Sequence, residues 1–523
     1  MKKLFSILFI IPLLCFSQQI IPTPEKLILT NQEFKFKSDL YITSHPKSSK
    51  IVNYIADFLE PVINLKHKEK QSNILELQIN KSLKSINDEG YFLTIRKKKI
   101  TIEAKTEAGL FYGVQSLLQL LPKEVYAKKN TSLNGYVLQT MQVKDQPKYS
   151  WRGLMLDSGR QYQSPDFIKR FLDQMAMLKL NVFHWHLTEG QGWRIEIKKY
   201  PKLTSIGSKV ASGPQQQGYY TQEEIKAIVN YAADRHIRVV PEIDLPGHSE
   251  AALNAYPEFS CFNEAPKSVM SFSSTIFCGG KPETYTFIKS VLDEVCELFP
   301  SEYIHLGGDE APKNNWDRCN KCQQKIEEEK LKDSHDLQLY FSTELANYLK
   351  TKNKKAVFWG DVVYEKGGPL PDNSIIQWWN YRRHKTKGLN NAIAQGHEVI
   401  CNSNYYTYLN FPVTPWSKYK TSRTFDVKDI YNHNPSHIDN PDPLIKGMSA
   451  ALWTDWHVTE EMIDQRLFPR IYALSEQMWH KGDLIPFEKF YELMQSKYPL
   501  LNAMKINYGP ALKTETPKDY KWD

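Results

Sequence analysis

The run "IHLGGDE" at residues 304–310 closes a short apolar segment with two glycines and then sets Asp309 and Glu310 side by side. Neighbours on a strand point to opposite faces, and two carboxylates held close raise one another's pKa. A carboxyl raised in this way stays protonated near neutral pH and can give its proton to a leaving oxygen, the task of a general acid in glycoside cleavage. The common form of that chemistry flanks a sugar ring with two carboxylates about 5 to 9 Å apart, a separation that adjacent residues reach poorly. The remaining route lets the substrate supply its own nucleophile. An N-acetyl group at C2 attacks C1 while one carboxylate holds its N–H and the other protonates the leaving group.

Other polar and aromatic residues recur where apolar runs end. They are Asp157 and Arg160; His184, His186 and Glu189; Glu242, Asp244 and His248; and His305 beside the acid pair. Trp359 and Asp361, Trp378 and Trp379, Tyr405 to Tyr408, and Trp453 and Asp455 complete the set. The runs are "WRGLMLD" (151–157), "NVFHWHLTE" (181–189), "IRVVPEID" (237–244), "YIHLGGDE" (303–310), "AVFWGD" (356–361), "SIIQWWN" (374–380), "EVICNSN" (398–404) and "MSAALWTD" (448–455). Each has the length of a strand, and amphipathic helices fall between most of them. One opens with Ser164 as cap and Pro165 in its first turn, and another with the capping box Thr221-x-x-Glu224. Eight strands alternating with helices over residues 148–480 predict a (β/α)8 TIM barrel. A doubly wound sheet is the alternative, but no Gly-rich phosphate loop follows the first strand.

In such a barrel the strand ends share one rim, so the polar residues converge there. The rim offers no Ser in a nucleophile elbow and no catalytic Cys. It offers carboxylates among Trp and Tyr, which suits a sugar with apolar faces and hydroxyl edges. His184, His186, His248 and His305 also admit a metal cluster, as in a metal-dependent amidohydrolase-type barrel. Against this, "NVFHWHL" reads as rim packing, and the lysine or further histidines needed on later strands are missing. A secreted glycan-binding protein on a dead scaffold is a third class, disfavoured because the acid Glu310 is present. Arg160 also reads as a loop partner of Asp157, and Trp379 reads equally as core or pocket.

Residues 19–147 read as a small α+β domain preceding the barrel. "ILELQIN" and the hairpin "GYFLTIRKKKITIEAK" alternate like strands, and "TEAGLFYGVQSLLQLLP" reads as a helix stopped by Pro122. Residues 481–523 predict a helical tail packed on the barrel. "MKKLFSILFIIPLLCFSQQ" reads as a signal peptide over residues 1–18, which implies export to the periplasm or the outside. Its apolar run is too short for a membrane span, and Cys15 lacks the small preceding residue that lipid attachment favours. The net charge of +8 comes from scattered lysines, so it marks a solvated surface and not a nucleic-acid footprint. Export permits disulfides, and Cys261 with Cys278 and Cys319 with Cys322 are candidate local pairs. "CNKC" is also half of a zinc site, but no second pair follows it at suitable spacing, so no metal is expected. Cys296 and Cys401 read as free buried thiols.

The segments "WRGLMLDSGR", "NVFHWHLTEGQGWRIEIKKYPKL", "PEIDLPGH", "HLGGDE" and "ALWTDW", in that order, resemble glycoside hydrolase family 20, the exo-β-N-acetylhexosaminidases. The resemblance implies removal of terminal N-acetylhexosamine residues from oligosaccharides, with retention and without metal or cofactor. By motif it makes Glu310 the acid/base and Asp309 the residue that polarises the acetamide. It makes Arg160 the holder of the 3- and 4-hydroxyls, and Trp359, Trp378 and Trp453 the pocket walls. Tyr408 would bond the acetamide oxygen, while His248, Glu189 and His305 would support the acid. Three positions depart from the family pattern: Glu189 stands where Asp is usual, Asn410 where an acid is common, and Asp455 where Glu is common. Asn410 and Asp455 are expected near the 4- and 6-hydroxyls, which leaves gluco against galacto preference open. The expected state is a monomer or homodimer.

Overall fold

The computed structural model describes residues 20–522 except 68–71, 128–130, 211–216, 269–274, 365–368, 380–385, 418–422, 435–441 and 456. The signal segment with Cys15 lies outside the described residues. The chain forms two compact units, Met1–Asp145 with Glu488–Ala503, and Gln146–Phe487 with Met504–Asp523.

The first unit holds a seven-stranded mixed sheet. Its strands are β1 (Lys26–Lys35), β2 (Asp39–Ser44), β3 (Asn64–Lys66), β4 (Ile74–Ile79), β5 (Tyr91–Arg96), β6 (Lys99–Ala104) and β7 (Val137–Asp145). Their order is β1-β7-β5-β6-β4-β2-β3. The lysine turn joins β5 and β6 as an antiparallel hairpin with Arg96 opposite Lys99. Helix Glu107–Gln119 starts where Thr106 accepts from Gly109 N. It lies so close to the sheet that a Cβ on Gly113 would stand 2.4 Å from Ile102 Cγ2.

The second unit is a closed barrel of eight parallel strands, in agreement with the expected architecture. They are β8 (Trp151–Asp157), β9 (Val182–His186), β10 (Arg238–Glu242), β11 (Tyr303–His305), β12 (Lys355–Trp359), β13 (Ser374–Trp378), β14 (Glu398–Cys401) and β15 (Ile445–Leu452), with β15 pairing back to β8. Helices Pro165–Met177, Gln222–Ala233, Pro282–Leu298 and Ser334–Thr351 connect the first five strands, alongside shorter turns. Ser164 and Thr221 cap two of them, the latter with its box partner Glu224. Inward-facing Trp151, Val182, Val240, Tyr303, Val357, Ile375 and Ile400 form one buried apolar layer.

Three expectations are corrected. Most strands end earlier than the apolar runs do: β11 stops at His305, so Asp309 and Glu310 belong to the loop after it. The tail does not pack as one piece on the barrel. Residues Glu488–Ala503 belong to the first unit, where helix Tyr498–Ala503 meets the turn Lys123–Val125. Its apolar stripe, with Phe490, Met494 and Leu501 buried, required cover, but helical periodicity does not say by which surface. The cysteine pairs are not bridged. All six described cysteines are free, and Cys261, Cys278, Cys319 and Cys322 converge in one buried group. The partners of "CNKC" lie upstream of it in the sequence, brought there by loop folding.

Candidate active site

Strand alternation sets a second inward layer two residues above the apolar one, made of His184, Glu242, His305, Trp359 and Gln377. Glu242 gathers them. Its Oε2 lies 2.7 Å from His184 Nε2 and 2.6 Å from His186 Nδ1. Its Oε1 accepts from Trp359 Nε1 at 2.8 Å and stands 3.3 Å from His305 Nδ1. Gln377 extends the floor, donating to Asn402 Oδ1 at 2.8 Å. Burial disfavours charge throughout this layer. At Glu242 the three histidines outweigh burial and hold the carboxyl well below its usual range. At His184 burial, followed by His305, pushes the imidazole down to about 4. Three histidines thus turn to one carboxylate while His248 faces elsewhere, and the single four-histidine metal centre does not form.

The acid pair owes its geometry to the glycines before it. Gly307, Gly308 and Glu310 take φ of +62°, +100° and +47°. A Cβ on Gly307 would stand 1.7 Å from Asp244 Oδ1, and one on Gly308 2.4 Å from Val362 Cγ2. The turn is tied by Trp359 N donating to Gly307 O at 2.9 Å and Gln338 Nε2 to Gly308 O at 2.7 Å. Glu310 N donates to Asp361 Oδ1 at 3.2 Å. Left-handed backbone cancels the alternation of a strand, so both carboxylates face His248. Its Nε2 lies 3.5 Å from Asp309 Oδ2 and 4.0 Å from Glu310 Oε2. The Asp309 side chain is 11% exposed and that of Glu310 36%. Burial raises the pKa of both. At Glu310 His248 opposes burial and Asp309 reinforces it; at Asp309 His248 again opposes it and Glu242 adds to it.

Behind His248 runs a chain of charges. Its Nδ1 lies 2.8 Å from Glu189 Oε1, which also stands 2.5 Å from Arg160 Nη2. Arg160 Nη1 donates to Asp157 Oδ2 at 2.8 Å, and the guanidinium lies 5.0 Å over the Trp453 ring. The glutamate at 189 therefore reaches both neighbours. Burial works against the charge on Glu189, but Arg160 and His248 outweigh it and hold the carboxyl well below its usual range. Burial also opposes charge on His248, but Glu189, Asp309 and Asp244 hold it well above the usual imidazole value.

Aromatic rings wall the space beside the acids. Trp359 and Trp453 lie 5.7 Å apart, Tyr408 and Trp453 6.1 Å, and Trp379 stacks on Tyr408 at 6.2 Å and 14°. Trp379 Nε1 donates to Asp361 Oδ2 at 2.5 Å. The expected wall residue Trp378 is not part of this box. Ile375 and Gln377 point inward, so Trp378 points outward, fully buried against Gly360 and Gly388. Tyr406 also turns away, stacking on His433 at 4.3 Å.

Residues 149–482 match the family model for the glycosyl hydrolase family 20 catalytic domain, and residues 17–146 match that for its domain 2. The chain belongs to glycosyl hydrolase family 20. A β-hexosaminidase of Porphyromonas gingivalis is 35% identical over 517 residues, covering 94% of this chain, while the chain spans 64% of that relative's length. The crystal structure of a β-N-acetylhexosaminidase from Bacteroides fragilis is 49% identical, with a TM-score of 0.88 over 97% of this chain and 100% of that one. An exo-β-N-acetylglucosaminidase of this family from Vibrio harveyi, solved with N-acetylglucosamine, is 26% identical, with a TM-score of 0.84 over 95% of this chain and 79% of that one.

In this family 20 chain the motifs left four neighbours of the acid pair without a role: Glu242, Asp244, Asp361 and Trp379. Alternation would have found them, because each stands two residues beyond an inward-facing position on its strand. Burial, then Asp309, raises both Asp244 and Asp361 well above the usual carboxyl range. Asp455 is half-buried and favours the charged form of Arg160. Asn410 is buried, and its backbone carbonyl accepts from Trp522 Nε1 at 3.1 Å.

Proposed function

We propose that the protein is an exo-acting β-N-acetylhexosaminidase, removing terminal β-linked N-acetylglucosamine or N-acetylgalactosamine with retention. The observation that carries this reading is the acid pair itself: adjacent carboxylates, both turned to His248, one buried and one a third exposed. That arrangement suits one substrate touched at two atoms. The acetamide oxygen attacks C1 as the C1–oxygen bond breaks, and protonated Glu310 gives its proton to the departing oxygen. Asp309, as carboxylate, accepts from the acetamide N–H and offsets the positive charge of the oxazolinium ring. Water then adds to C1, Glu310 takes its proton, and the ring reopens to the acetamide.

The supporting residues follow from their contacts. Arg160, anchored on Asp157 and Glu189, presents its remaining donors to sugar hydroxyls as a rigid fork. The rings of Trp359, Trp379, Tyr408 and Trp453 take the sugar's apolar faces, with the Tyr408 hydroxyl at the acetamide oxygen. His248 carries the charge state of Glu189 to the acids. Export is part of the reading and rests on the apolar segment after Lys2 and Lys3.

The test compares p-nitrophenyl β-N-acetylglucosaminide with p-nitrophenyl β-glucoside. A substrate that brings its own nucleophile is expected to react roughly a thousandfold faster or more in kcat/KM than one lacking it. Comparable rates on the two would overturn the substrate-assisted mechanism.

A further inference from the structure

Outside the acid site, one cluster has the geometry of a metal cage. Cys261, Cys278, Cys319 and Cys322 are all buried, and their sulfurs lie within 4.8 Å of one another. The Cys261–Cys322 and Cys278–Cys319 separations are 3.8 Å, and Cys278–Cys322 is 3.5 Å. Zinc–sulfur bonds of about 2.3 Å in a regular tetrahedron place the sulfurs about 3.8 Å apart. A disulfide needs about 2.05 Å. A cage of this size fits a single ion; the irons and sulfides of a cluster would have to sit between the thiolates and drive them apart.

The surrounding backbone builds this cage from two distant loops. The bridge between Ser260 and Phe277 sets Cys261 and Cys278 side by side, and Cys278 N donates to Phe259 O at 2.9 Å. Cys319 is the N-cap of helix Asn320–Glu328 and Cys322 lies in its first turn. Gly280 seats the second pair on the first: a Cβ there would stand 2.2 Å from Lys321 O and 2.4 Å from Cys322 N. Trp316 Nε1 donates to Phe277 O at 2.9 Å and closes the same contact.

We propose that these four cysteines bind one zinc ion in a closed, structural site. Four soft thiolates in a tetrahedron select zinc among common divalent ions, and four protein ligands leave no open coordination position for catalysis. The ion would tie the loop after β10, which carries Asp244 and His248, to the loop after β11, which carries Asp309 and Glu310. Near the barrel those two loops are already joined by Leu245 N donating to Leu306 O at 3.1 Å and Gly308 N to Asp244 Oδ1 at 3.2 Å, and the ion would add a clip farther from the strands. It would also keep the thiols reduced in an exported chain, where disulfides otherwise form.

The test is metal content on the full chain purified without added metal. Elemental mass spectrometry of the acid-digested protein is expected to give close to one zinc per chain. Cys278→Ser and Cys322→Ser are expected to lower it by about tenfold or more, while Cys296→Ser leaves it unchanged. Should those variants fail to fold, titration of the wild type with an organomercurial is expected to release one zinc as four thiols react. A chain without zinc whose denatured mass is lighter by four hydrogens would carry two disulfides and overturn the proposal. Iron in place of zinc would overturn it as well. None of these readings depends on hydrolysis, so the zinc site and the proposed activity stand or fall separately.

Discussion

Glu189 Oε1 stands 2.8 Å from His248 Nδ1, while the opposite ring nitrogen faces Asp309 at 3.5 Å. The imidazole is clamped between carboxylates, and the nearer one is itself neutralised by Arg160. A buried cation is thereby held against the acid pair. Its presence explains why Asp309 and Glu310 can share one site although both are acidic and Asp309 is buried.

The clamp makes stability pH-dependent. The pKa of His248 is raised in the folded state, so its contribution is complete below the unfolded value of about 6.5 and is lost as pH rises through the folded value. Each tenfold gain in proton affinity is worth about 1.4 kcal/mol. The stability gap between wild type and His248→Gln is therefore expected to be largest below about pH 6.5 and to shrink as pH rises into the alkaline range in urea melts. A gap that stays constant or widens with pH would show that the ring is neutral.

The acids set the activity profile. The proposed mechanism requires Asp309 ionised and Glu310 protonated, so the rate is expected to fall as pH drops through the Asp309 pKa and as it rises through that of Glu310. Both are raised, chiefly by burial, which places each limb at higher pH than an exposed carboxyl would. Glu310→Gln is expected to lose the alkaline limb and about a thousandfold in kcat on chitobiose, but far less on an activated nitrophenyl leaving group. Asp309→Asn is expected to lose the acidic limb and a similar factor on both substrates. Profiles of kcat against pH for the three proteins check the assignment. Full turnover of chitobiose by Glu310→Gln would remove Glu310 as the acid.

The paired tryptophans separate binding from folding. Trp379 stacks on Tyr408 beside Asp361, so Trp379→Ala is expected to cut kcat/KM by about 10- to 100-fold with little change in melting temperature. Trp378 is fully buried on the outer face, so Trp378→Ala is expected to cost about 3 to 5 kcal/mol of stability and to leave KM near wild type. Thermal melts and steady-state kinetics on both variants decide it. The reverse pattern would place Trp378 in the pocket.

Much of this was legible in the chain because it is written between near neighbours. Apolar runs of strand length, the Ser164 cap, the Thr221–Glu224 box and the order of five motifs all concern residues a few positions apart, and they determined the barrel and the acid pair. Alternation along "SIIQWWN" could have told Trp378 from Trp379, since both follow from which face Ile375 takes. That face is set when β13 pairs with β12 and β14, placing Ile375 in the apolar layer.

Other features had no local signature. The gathering of three histidines on Glu242 depends on β9, β10 and β11 lying in register, with Glu242 opposite both His186 and His305. The tail's apolar stripe asked for cover without naming the surface. The cysteines show the limit most plainly. Spacing alone pairs Cys261 with Cys278 and Cys319 with Cys322, because chain neighbours are the default partners. Only the folding of the loops after β10 and β11 brings the four sulfurs within 4.8 Å of one another. Sequence determines what each segment can do; barrel closure decides which distant atoms meet, because contact between far segments follows strand register and loop packing.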